Sequence, residues 1–160
     1  MATAGHRVLI GEGRKMPRPP PGTVLTSTER ERIHAAIRNT CSASLMSDTK
    51  WRKLLSVLET IPSIKHYFLK SISGTVEMHG QGFLSGRGAP HAFMDTFSFG
   101  PIYLREVEWI EFPAIVSKRA DGIGDHRQDL GALRRALNAI GEFPLEETSR
   151  GLRVIGHARK

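Results

Sequence analysis

The residues best equipped for chemistry are three carboxylates on one short stretch. Glu106, Glu108 and Glu111 lie within residues 102–113, Ile-Tyr-Leu-Arg-Glu-Val-Glu-Trp-Ile-Glu-Phe-Pro. Two neighbouring carboxylates can divide acid–base work when their surroundings separate their pKa values. In an extended chain Glu106 and Glu108 share one face, and Val107 and Trp109 share the other. The simplest reading of the pair is a solvated strand face. A sharper one is an interaction surface. There Glu106, Glu108 and Trp109 act with Phe93 and Phe97 of the preceding loop, combining charge with aromatic anchors. A small hydrolase or isomerase using these carboxylates and a histidine is a further reading.

Other reactive groups are less organised. No two of the seven histidines stand at i, i+4, and no cysteine pair exists, so the spacing suggests no metal site. No cofactor motif is present either. Cys41 reads as a small core or boundary residue, because a nucleophile needs a base placed by the fold. Gly80, Gly82, Gly86 and Gly88 resemble a phosphate loop, but the Lys-Ser/Thr that should follow is missing. Arg134, Arg135, Arg150, Arg153 and Arg159 form the best candidate basic patch and support nucleic acid as the alternative partner. No helix-turn-helix, stacking-aromatic or glycine-clamp signature accompanies them.

The bulk properties set limits. With 160 residues, 39% hydrophobic and 24% charged, the chain fits one globular domain plus a tail. No apolar run approaches the ~20 residues of a membrane span, and no signal-peptide core opens the chain. A single cysteine fits a reducing compartment, so a cytoplasmic location is expected. The net charge is +7, of which +4 falls in residues 1–46. The folded part is therefore only mildly basic.

The elements that must position these groups follow from periodicity. Residues 1–24 carry Arg14-Lys15-Met16-Pro17-Arg18-Pro19-Pro20-Pro21 and read as a flexible basic tail. Thr28 and Glu31 suggest a capping box for an accessory helix over 28–41, within a segment 25–46 that stands outside the main domain. Trp51, Leu54, Leu55, Leu58 and Ile61 give a continuous stripe, so a helix is expected over 48–61, capped by Ser47 or Asp48 and stopped by Pro62. Leu130, Leu133, Leu137 and Ile140 repeat that spacing in a helix over 126–140, starting at Asp121 or Asp125 and closed by Gly141. Strands are expected over 64–72, 75–79, 102–113 and 152–158, with Gly156 marking a bulge or close approach. Residues 80–100 read as a long glycine- and phenylalanine-rich loop.

Three landmarks stand in order: Lys50-Trp51-Arg52-Lys53-Leu54-Leu55, Val107-Glu108-Trp109-Ile110-Glu111, and Leu152-Arg153-Val154-Ile155-Gly156-His157. Together they resemble a family of small, uncharacterised bacterial proteins, a domain of unknown function, over about residues 47–159. His157 stands where that resemblance would place an aromatic residue. The family brings no active site, so the resemblance implies only a bacterial cytoplasmic protein.

The expected fold is an α+β domain over 47–160. It has an antiparallel or mixed sheet of about four strands, two helices on one face and an N-terminal accessory helix. The expected function is a non-enzymatic protein-binding module of the toxin-neutralising or accessory-regulator kind. Another protein is its partner, and a homo-oligomer paired through the accessory helix is a further expectation.

Overall fold

The computed structural model describes residues 25–87, 89, 91–117 and 125–160. The expected tail and the linker residues Lys118, Arg119 and Asp121 lie outside them. The order is α1 (Ser27–Thr40), β1 (Cys41–Ser44), α2 (Asp48–Leu58), β2 (His66–Ser71), β3 (Met78–Gln81), β4 (Leu84–Ser85), β5 (Phe93–Thr96), β6 (Ile102–Tyr103), β7 (Val107–Pro113), β8 (Ile115–Val116), β9 (His126–Arg127), α3 (Leu130–Ile140), β10 (Leu145–Glu147), β11 (Gly151–Ile155) and β12 (His157–Arg159).

The main sheet is antiparallel and runs β10-β11-β7-β2-β3, with the tryptophan strand β7 at its centre. The register aligns Leu69, Ile110, Val154 and Leu145 across four strands. Trp51, Leu54, Leu55 and Leu58 of α2 join Leu133 and Leu137 of α3 over that row in one core. Each such side chain contributes roughly 1.5–3 kcal/mol as an upper estimate. The class is α+β, with two helices on one sheet face. The sheet has five strands because Leu145–Glu147 adds an edge strand that is too short and polar to show a period.

Several boundaries move, each for a local reason. The helix α1 starts earlier because Thr26, not Thr28, makes the reciprocal capping box, with Glu29. Ser47 caps α2 through the Lys50 amide. Asp129 caps α3, and residues 126–127 form a strand against β8 instead of a first helical turn. The long stretch expected over 102–113 is broken. Ile102–Tyr103 pairs with β5, Leu104–Glu106 is a 3-10 turn, and only Val107 onward belongs to β7. The second strand of the β2–β3 pair begins at Met78 rather than Thr75, because a turn through Ser71, Ser73 and Gly74 intervenes. The presumed loop over 80–100 contains β4 and β5, which form a small sheet with β6. Phe93 and Tyr103 of that sheet bury Ile33 of α1 in a second core, and β1 pairs with β12.

A bulge in β7 changes which side chains share a face. Lys70 opposes Trp109 and Ser71 opposes Val107, so Glu108 is an extra residue. Val107, Ile110 and Phe112 therefore enter the helix-covered core. Glu108, Trp109 and Glu111 meet charged partners on the other side. The strict alternation expected through this strand does not hold.

Candidate functional site

The carboxylates are not an open acidic surface. Glu111 is 0% exposed and is ion-paired to Arg150 and Arg153. Glu108 is buried and takes two hydrogen bonds from Arg159, at 2.9 and 2.6 Å, with Lys70 at 3.6 Å. Burial alone would raise the Glu108 pKa. Hydrogen bonding from Arg159 and the charges of Lys70 and Arg159 outweigh it and hold the group below the ordinary carboxylate range. Glu106 accepts the Ser71 and Ser73 hydroxyls, each at 2.7 Å. Trp109 is buried, with the Arg153 guanidinium 4.2 Å from its ring centre. Arg150 covers Phe68 at the same distance, and His79 stacks on that ring at 4.8 Å.

The candidate basic patch is likewise engaged. Arg150 reaches Glu77 as well as Glu111, Arg153 also reaches Glu146, and Arg134 pairs with Glu147 at 2.6 Å. The pKa values of Arg150 and Arg159 are raised, first by hydrogen bonding to Glu77 and Glu108 respectively. Arg135 is exposed on α3. Four of the five arginines are thus committed to carboxylates, which a phosphate would have to displace.

Three histidines lie near one another, and His157 stands apart from them. The rings of His66 and His79 are 5.7 Å apart, and those of His66 and His126 are 6.1 Å apart. Among the described residues no group of three or more His, Cys, Asp or Glu is placed to hold a metal ion. His157 is buried, its Nε2–H donating to the Arg105 carbonyl at 2.8 Å. That bond leaves Nδ1 as an acceptor, so the Ser44 hydroxyl donates to it at 2.9 Å. Burial lowers the His157 pKa and keeps the ring neutral.

Gly80 and Gly82 serve packing. A Cβ on Gly80 would fall 2.0 Å from the Tyr67 ring of the paired strand, and one on Gly82 (φ +95°) would strike Phe97 at 2.9 Å. Arg52 donates to the carbonyls of Gly86, Ala89 and His91, clamping this segment to α2. From sequence Arg52 reads, with Lys50 and Lys53, as solvated charge at the helix start, and the clamp is not legible there.

An open apolar surface lies at the phenylalanine-rich segment. Phe97 is 68% exposed and Phe83 48%, and their rings meet edge to face at 5.7 Å. Phe99 is also exposed and packs edge-on against Tyr67. Phe93, the other phenylalanine expected as an anchor, is buried in the second core. Beside Phe83 opens a hollow of about 300 Å³, walled by Leu58, Ile61, Ile64, Tyr67, Leu84 and Phe112. Burial pushes the Tyr67 hydroxyl up to about 12. Phe83–Phe97 was legible only as part of a phenylalanine-rich segment. The hollow had no sequence signal, because its walls come from α2, β2, β4 and β7.

Among the described residues no helix is long and apolar enough to cross a membrane. Neither the curated proteins nor the solved structures contain a match. A family model matches residues 33–160, further toward the N-terminus than the landmarks alone suggest and reaching into α1. The chain belongs to that family, a family of unknown function (DUF6678).

Proposed function

We propose that this protein is a non-enzymatic binding module for another protein, and that it docks through the phenylalanine lip at Phe83 and Phe97. The observation that carries this reading is the exposure of two adjoining aromatic rings in a chain with a complete core elsewhere. Exposed aromatic area of this kind is costly to leave in water and dominates interfaces when covered. The Arg52 clamp and the β4–β5 pairing hold the lip in place, which lowers the entropy lost on binding. The partner presents a complementary apolar patch.

This moves the interaction surface from Glu106, Glu108 and Trp109 to the aromatic segment beside them in sequence. The nucleic-acid alternative rests on Arg135 and the basic segment before residue 47, since the other four arginines are paired. Capture of partners from the host with wild type, Phe83→Ser/Phe97→Ser and Arg134→Ala/Arg135→Ala separates the two. A protein partner lost by at least about tenfold only in the phenylalanine variant is expected. Retention there, with loss of nuclease-sensitive material in the arginine variant, overturns the reading.

A further inference from the structure

The hollow beside Phe83 carries a second inference, independent of any protein partner. Its apolar walls include Leu58, Ile61, Ile64, Phe83, Leu84 and Phe112, and the buried His66 and Tyr67 also line it. Two charged side chains line it, and they are in different states. The Glu59 carboxylate is already taken by Arg87 at 2.8 Å and the Ser85 hydroxyl at 2.8 Å. Lys65 is exposed, and among the described residues no carboxylate is ion-paired to it. An apolar hollow with a cation at its edge that no described carboxylate pairs selects an apolar molecule with an anionic head. The volume is about 300 Å³. At about 30 Å³ per water-sized unit that holds about ten non-hydrogen atoms.

We infer that this hollow binds a small amphipathic carboxylate, its chain among Leu58, Ile61, Leu84 and Phe112 and its head at Lys65. The chain length follows from the volume and the head group from the charge. A short carboxylate such as butyrate would leave much of the chamber unfilled. An alcohol of equal length would fill it but leave Lys65 without a counter-charge.

The test uses the full chain, with octanoate, octanol and butyrate as probes followed by amide chemical shifts. Octanoate is expected to perturb Gly82, Phe83 and Leu84 saturably, to bind at least about tenfold more tightly than butyrate and about two- to fivefold more tightly than octanol. Lys65→Ala, a surface change that leaves the core intact, should remove the advantage of octanoate over octanol. Ile61→Trp should fill the chamber and abolish binding, with an unchanged circular dichroism spectrum showing that the fold persists. Three results would overturn the inference: no saturable shift up to about 10 mM octanoate, equal affinity for octanol, or unaltered octanoate binding in Lys65→Ala. Because no protein partner is in the sample, failure here leaves the docking role of the lip standing, and the reverse also holds.

Discussion

At the scale of single residues, the molecule is governed by where its charges find partners. Glu111 is wholly enclosed between Arg150 and Arg153, and those two guanidinium groups in turn cover Phe68 and Trp109. Removing Glu111 takes one carboxylate from each arginine but leaves Arg150 with Glu77 and Arg153 with Glu146, so their charges stay partly compensated. Glu111→Ala should therefore lose about 1–3 kcal/mol in urea denaturation, the scale of losing hydrogen bonds to a charged group. A loss below about 1 kcal/mol would show that the cluster is well solvated. His157 gives a pH dependence. Its folded pKa lies below the ordinary 6.5, first because of burial. The unfolded chain then binds the proton first as pH falls. The His157 contribution is complete above about 6.5 and is lost as pH drops toward the folded value. Glu108 adds a separate loss below the ordinary carboxylate value of 4.5. The thermal midpoint should fall between about pH 7.5 and about pH 5.5, and less so in His157→Gln. None of these pairs was legible in the sequence. Glu111 and Arg153 stand 42 residues apart, and a carboxylate on a strand looks the same whether it meets water or an arginine.

At the scale of elements, what could be read was what has a period. The stripes of Trp51, Leu54, Leu58 and of Leu133, Leu137 were sufficient to place α2 and α3 on one sheet face. The apolar and β-branched run around Trp109 was sufficient to mark the central strand. Elements of two to four residues, such as β4, β6 and β10, are held by neighbours rather than by their own pattern. The bulge at Glu108 escaped for the same reason, since only the register with β2 reveals the extra residue. One punctuating residue was readable. Gly156 separates β11 from β12, and its amide bonds the Glu108 carbonyl at 2.7 Å. A Cβ there would sit 2.3 Å from the Val107 carbonyl oxygen and 2.9 Å from the Trp51 ring. Gly156→Ala must push the end of β11 away from β7 or move Trp51 in the core. It should cost about 1–3 kcal/mol in urea denaturation. A stability equal to wild type would show that the backbone yields freely at this point.

At the scale of the whole molecule, the two faces of the main sheet are both occupied. Helices α2 and α3 cover one, and an ordered set of arginines, carboxylates and aromatic rings covers the other. Among the described residues Val76, Ile115 and Ile140 are also exposed, and the rings of Phe83 and Phe97 beside the small β4–β5–β6 sheet form an exposed aromatic pair in mutual contact. The candidate site was thus half legible. Its phenylalanines were visible as a cluster, but which of them face water depends on Ile33 of α1 burying Phe93. The most direct measurement places a photoreactive phenylalanine analogue at position 97, and separately at position 134, in the full chain inside its host. The docking reading predicts a discrete protein adduct from position 97 and none from position 134. Adducts from position 134 alone, or nuclease-sensitive adducts there with a bare position 97, would contradict it.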